Sequence, residues 1–222
     1  MTTMTPPPDP GEAAPRRLEP QFADLARQEH AVRLGMWVFL GSEVLLFAGL
    51  FALYAAYRTE YSADFTAALH HQNLLIGTAN TFVLIISSFT VAWAIHRLRH
   101  GDRRACLVFL AITMVLGALF LAFKAIEYGD HFAHGVVPGR GYASAELPAR
   151  GARVFFNLYF LMTGLHALHM IGGLAVMGWL VTRVARRRAT PAYHAELEMG
   201  GLYWHLVDSV WIFLWPLFYL TG

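Results

Sequence analysis

The sequence predicts an all-α integral membrane protein, a bundle of five transmembrane helices, and three observations carry that prediction. Apolar residues make up 56% of the 222 positions and charged residues only 14%, with a mean hydropathy of +0.43. The apolar residues gather into five long runs, at about 34–57, 73–95, 106–127, 154–181 and 199–220. Each is long enough for a bilayer core about 30 Å thick, which takes roughly 20 helical residues to cross. No run alternates in the manner of a strand, and a helix satisfies its own backbone groups within lipid.

The chain opens on MTTMTPPPDPGEAAP, a polar, Pro-rich stretch without the charged and apolar regions of a secretory signal. Residues 1–20 are read as a disordered cytoplasmic tail and 21–222 as the membrane domain. An amphipathic stretch from Gln21 to Arg33 leads into the first span. Arginine placement then sets the topology. Twelve arginines lie on one side: Arg16, Arg17, Arg27 and Arg33, then Arg97, Arg99, Arg103 and Arg104, then Arg183, Arg186, Arg187 and Arg188. Only Arg58, Arg140, Arg150 and Arg153 lie on the other. The positive-inside rule therefore places the N-terminus in the cytoplasm and the C-terminus outside. The arginines at 183–188 can also bind anionic head groups or dock a partner.

Aromatic residues at span ends (Trp37, Tyr57, Trp93, Trp179, Trp204 and Tyr219) fit an interfacial belt. The outer connection at 128–153 is rich in Gly and Pro and reads as irregular. The single cysteine, Cys106, excludes a disulfide framework or a Cys-based zinc site and reads as a small apolar residue at a helix start. A net charge of +2 gives no reason to expect a nucleic-acid partner.

Polar residues inside the spans carry the functional signal, because a charge near the bilayer centre costs at least ~2.5–3.5 kcal/mol. In the first span Glu43 lies nine residues in, about 14 Å from the inner end at 1.5 Å per residue. Its bland reading is a neutral acid bonded to a neighbouring helix, since desolvation disfavours the ionised form. Its functional reading is a site for lipid, protons or a metal. In the second span Asn80, Thr81, Ser87, Ser88 and Thr90 read as packing and hydrogen-bonding residues. Lys124 and Glu127, three apart at the outer end of the third span, read as a helix-end anchor. There the lysine snorkels to the head groups and pairs with Glu127. His166 and His169 in the fourth span, and His205 and Asp208 in the fifth, are also three apart. Glu43, His166, His205 and Asp208 can meet in one cluster, with Gly164, Gly172, Gly173 and Gly178 allowing close approach. These are ligand types, yet a carboxylate-bridged di-metal bundle needs Glu-x-x-His motifs, and none occurs. Interhelical hydrogen bonding is their more ordinary use.

From residue 33 onward the chain resembles subunit III of the haem-copper respiratory oxidases, in a five-helix bacterial form. Ser42-Glu43 in the first span looks like the family's Ser-Glu pair, and Glu127-Tyr128 its Glu-Tyr element. Thr163-Gly164-Leu165-His166-Ala167-Leu168-His169 is similar to its Thr-Gly-x-His-x-x-His motif. Tyr203-Trp204-His205-Leu206-Val207-Asp208-Ser209-Val210-Trp211 is similar to its Tyr-Trp-His-x-x-Asp-x-x-Trp signature. Arg183, His194 and Glu198 fall where the family places an arginine, a histidine and a glutamate.

The resemblance implies a non-catalytic subunit of a proton-pumping cytochrome c oxidase in the bacterial cytoplasmic membrane. It would hold no cofactor of its own, with haem and copper in partner subunits. It would touch subunit I directly, with subunit II and cytochrome c nearby. It implies bound phospholipid in a cleft, fast proton uptake by subunit I and protection of the enzyme during turnover. A dioxygen route through the cleft has also been proposed for the family. By position, Glu43 would border that cleft and react with hydrophobic carbodiimides, and Arg183 would anchor a lipid phosphate. His166, His169, His205 and Asp208 would brace the helices. Seven-span members wall the cleft with two helices that this chain lacks, leaving lipid, subunit I or another chain to supply the wall. The alternatives are an accessory subunit of a quinol oxidase or nitric oxide reductase and a small membrane metalloenzyme. A proton-relay transporter would show an inverted repeat, and none is visible.

Overall fold

A computed structural model describes residues 18–139, 142–143, 147, 149–186 and 191–220. Among them are six helices and no strand: α1 (Leu25–Glu60), α2 (Ser62–His70), α3 (Leu74–Arg99), α4 (Arg103–Ala133), α5 (Arg150–Arg186) and α6 (Pro191–Tyr219). The expected disordered tail lies outside the described residues up to position 17, as do Arg187 and Arg188.

Local chemistry sets the helix starts. The side chains of Asp24, Asn73 and Asp102 accept hydrogen bonds from Arg27, Ile76 and Ala105 N–H groups at the heads of α1, α3 and α4, relieving donors that a first turn leaves unpaired. Gly101 turns the chain between α3 and α4 at φ 78°, a conformation that glycine adopts without steric cost. The amphipathic stretch merges with the first span, so α1 runs for 36 residues, about 54 Å at 1.5 Å per residue. Helix α2 was not anticipated: residues 62–70, expected to be loop, form a short helix whose Phe65, Ala68 and Leu69 are buried.

α3, α4, α5 and α6 pack in a ring in which each touches the next, and α1 lies against α5 and α6. Distant side chains cap both ends of α5. Asp64 of α2 accepts from the Gly151 N–H at 3.0 Å, and the Arg103 guanidinium donates to the carbonyls of Val184, at 2.7 Å, and Ala185. The negative group sits at the helix N-terminus and the positive group at the C-terminus, the arrangement the helix dipole favours.

Among the described residues four helices, α1, α3, α4 and α5, are long and apolar enough to cross a membrane. α6, the fifth expected span, is not among them, because Tyr203, Trp204, His205 and Asp208 dilute its apolar run. Two members of the expected aromatic belt need correction. Trp204 is fully buried and Tyr219 is 7% exposed, so both belong to the core; Trp37, Tyr57, Trp93 and Trp179 remain exposed. Trp204 and Trp211 hydrogen-bond through their indole N–H groups to Ser87, at 3.2 Å, and Thr81, at 3.0 Å. Thr90 and Thr113 pair at 2.8 Å between α3 and α4.

Gly117 is one of the tight glycines of this core, and its neighbour is a rigid indole. A methyl group there would meet the Trp204 ring at 2.7 Å and Leu174 at 3.1 Å. Of the four glycines expected to allow close approach, Gly164, Gly172 and Gly178 leave ordinary contact distances of 3.4–3.7 Å, and Gly173 lies 3.1 Å from Trp204. Gly117→Ala should therefore destabilise the bundle by about 1–3 kcal/mol, the usual cost of overpacking. Thermal unfolding in detergent measures it, and an unchanged midpoint would show that Trp204 yields freely.

Candidate functional site

The polar residues of the spans sort into three separate groups and not one cluster. The first joins α4, α5 and α6 near the C-terminal end of α4. Lys124 Nζ lies 3.0 Å from Glu127 Oε2 and donates to the hydroxyls of Tyr159 at 2.8 Å and Tyr219 at 3.1 Å. Both tyrosines donate to Glu127 Oε1, Tyr159 at 2.7 Å. The rings of Tyr128, Tyr159, Trp211 and Tyr219 surround the ammonium at 4.8–5.8 Å. Both charged side chains are 4% exposed. The pairing follows from the i, i+3 spacing, but the snorkelling anchor is corrected. Lys124 points into the bundle, where a carboxylate, two hydroxyls and four π-faces replace water.

The second group fastens α1 to α5. Glu43 Oε2 and His169 Nε2 are 2.8 Å apart, each side chain 16% exposed. The other ring nitrogen, Nδ1, lies 2.8 Å from the Leu165 carbonyl. A carbonyl only accepts, so Nδ1 carries its proton. The bond to Glu43 then contains one further proton, on the acid or on the imidazole, and the pair is net neutral either way. Phe47 meets the His169 ring edge-on at 5.4 Å, and Tyr203 donates to the His169 carbonyl at 3.1 Å.

The third group lies between α3 and α6, where Ser88 Oγ and His205 Nδ1 are 2.7 Å apart. Asp208, 4% exposed, adjoins Ser88, although neither of its oxygens makes a hydrogen bond of ordinary geometry among the described residues. His166 stands alone. It is fully buried between Phe120, edge-on at 5.4 Å, and Trp211 at 5.3 Å, with no hydrogen bond to either ring nitrogen among the described residues. The expected meeting of Glu43, His166, His205 and Asp208 is thus corrected: Glu43 takes His169 as its partner. Residues three apart differ by about 60° around a helix axis. That suffices to turn His166 to the ring interior and His169 to α1.

Arg183, in the last turn of α5, is bidentate with Glu196 at 2.8 and 3.3 Å and stacks over Trp179 at 5.1 Å. Any phosphate would share the guanidinium with this carboxylate. Glu198 pairs with Arg99 at 2.8 Å. Among the described residues no group of three His, Cys, Asp or Glu is placed to hold a metal ion. Sequence reasoning gave Ser88 a hydrogen-bonding role without its partner, placed Tyr219 in the interfacial belt, and did not single out Tyr159 or Glu196. Nothing local marks the tyrosine hydroxyls as ligands of a buried ion pair.

A sequence model of the family cytochrome c oxidase subunit III matches residues 24–222. The chain is 31% identical over 190 residues to quinol oxidase subunit 3 of Bacillus subtilis, covering 85% of this chain and 86% of that one. It is 33% identical over 189 residues to a probable cytochrome c oxidase subunit 3 of Mycobacterium tuberculosis, covering 85% and 87%. It is 30% identical over 202 residues to cytochrome c oxidase subunit 3 of Corynebacterium diphtheriae, covering 90% and 93%.

Breaking a buried pair from one side strands a charge and costs about 3–5 kcal/mol. Lys124→Met should therefore destabilise the chain by about that amount, while Lys124→Met with Glu127→Gln recovers most of the loss. Thermal unfolding of the two variants compares them directly. Equal losses would mean that Glu127 is not held as an ion.

Proposed function

The chain belongs to the cytochrome c oxidase subunit III family, a membrane subunit of respiratory oxidase complexes, and from that premise we propose its part in such a complex. It is the non-catalytic subunit III of a proton-pumping haem-copper oxidase in the bacterial cytoplasmic membrane. It packs directly on subunit I, with subunit II and the electron donor in the same assembly. It holds phospholipid beside Glu43, sustains proton uptake by subunit I and protects the enzyme during turnover.

One observation carries the reading: the net-neutral Glu43–His169 bond on the seam of α1 and α5, partly open at membrane depth. A charged site there would repel acyl chains, whereas a neutral hydrogen-bonded pair lets them lie alongside it. The neighbouring positions on the same face of α1 suit lipid, with Phe39 42% and Leu46 46% exposed. Arg183 remains a candidate phosphate anchor in competition with Glu196. His166, His169 and the His205–Asp208 pair act as braces in three places, through burial, α1 and Ser88 of α3 respectively.

We read α6 as the fifth span. Its 29 residues reach about 44 Å at 1.5 Å per residue, and it packs between α3 and α5. With the arginine bias this supports an inner N-terminus and an outer C-terminus. Ser42-Glu43 and Glu127-Tyr128 support a cytochrome c oxidase. A quinol oxidase is the second reading, favoured by the relative in Bacillus subtilis that bears that name. Turnover of the purified complex with reduced cytochrome c against a quinol separates the two.

Two outcomes test the role. Glu43→Gln keeps the shape and can still bond to His169, so it should assemble normally while hydrophobic carbodiimide labelling of the chain is lost; persistent labelling would reassign the reactive acid. Deleting the chain should leave the haem spectra of the core unchanged while activity decays several-fold faster during turnover. A lost haem signal would give the chain a ligand role and overturn the non-catalytic reading.

A further inference from the structure

Between α3 and α6 a groove of about 400 Å³ opens on the outside of the bundle. Its walls are apolar, with Phe89 64% and Ile212 50% exposed. Its floor is polar: Ser88, His205 and Asp208. His205 lies six residues into the apolar 199–220 run, about 9 Å from its inner end at 1.5 Å per residue, beyond the ion-paired Glu196 and Glu198 at the head of α6. The imidazole therefore sits within the hydrocarbon region, where phospholipid offers no hydrogen-bonding group.

Ser88 engages only one of its nitrogens, Nδ1. If Nδ1 accepts from the serine, Nε2 is a donor; if Nδ1 donates, Nε2 is an acceptor. In both tautomers Nε2 has no hydrogen-bond partner among the described residues, and it is not enclosed by them. An acyl chain in the groove would leave that nitrogen unsatisfied in a medium where polar groups are costly. A side chain that both donates and accepts, a hydroxyl or carboxamide on another helix at the same depth, satisfies either tautomer.

We infer that the α3/α6 groove is the docking seat for a transmembrane helix of the haem-bearing partner subunit, and that a hydroxyl or carboxamide on that helix bonds to His205 Nε2. The inference rests on the proposed role as an oxidase subunit and adds which face of the bundle meets the partner. The Glu43 seam between α1 and α5 is a different face, left to lipid.

The test places the photocrosslinking residue p-benzoylphenylalanine at Phe89 or Ile212, and at Leu45 on α1 as a control, in the whole complex. The adducts are identified by peptide mass. Positions 89 and 212 should crosslink to one helix of the haem-bearing subunit, and position 45 to lipid. Lipid adducts alone at 89 and 212, or a second copy of this chain, would overturn the inference while leaving the subunit role standing if the chain still co-purifies with haem. A chain that never co-purifies with a haem-bearing complex overturns both. As a second measurement, His205→Phe should weaken retention of the chain in detergent roughly 3- to 20-fold, the span of one interhelical hydrogen bond in a membrane. His205→Gln, which donates and accepts, should restore it. Equal retention of the Phe variant and the unaltered chain would mean that no partner group reaches Nε2.

Discussion

An ammonium and a carboxylate 3.0 Å apart, both almost wholly enclosed, tie α4, α5 and α6 together at one end. Little else in the ring has such strict geometric demands. Removing two charges from water is costly, and the attraction between them compensates only when every remaining donor and acceptor is met. Tyr159 and Tyr219 meet them, which sets the register of α5 and α6 against α4. That register seats Trp211 against Thr81 and Phe120, and Trp204 against Ser87 and the bare backbone of Gly117. One end of the bundle is thus locked by charge and its centre by aromatic packing.

α1 is held by other means. It touches α2, α5 and α6 and exposes most of its length. Its polar ties include Glu43 to His169 and the hydroxyl of Tyr54 to the Leu217 carbonyl at 2.9 Å. The contrast with Lys124–Glu127 is physical. A pair enclosed by protein can be organised around full charges because hydroxyls and π-faces replace water. A pair on a seam open to lipid is best net neutral, and the Leu165 carbonyl on Nδ1 ensures that one proton lies between Glu43 and His169.

Two polar features are reached from outside, the Glu43 seam and the His205 groove, and they differ in how fully their hydrogen bonds are met. The seam has its hydrogen bond internally complete and suits acyl chains. The groove leaves one imidazole nitrogen without a hydrogen-bond partner among the described residues, the feature from which we infer a protein occupant. Neither assignment requires this chain to carry out redox chemistry, in keeping with a family whose members are subunits of oxidase complexes.

Much of this was legible in the chain itself. Five apolar runs, few charges and biased arginines determined a helical membrane protein, because hydropathy and length report directly on what a bilayer demands. Spacing paired Lys124 with Glu127, and the ordered motifs pointed to the family. Which way each side chain faces was decided only in three dimensions. Lys124 turns inward because tyrosines 35 and 95 residues away await it, and Trp204 is core because Ser87 and Gly117 make room. Glu43 takes His169 and not His166 because the intervening 60° of helix rotation faces one ring to α1 and the other to Phe120 and Trp211. A one-dimensional pattern records how long a greasy helix is; it does not record which neighbour fills each face, and inside a membrane that neighbour decides what a polar side chain does.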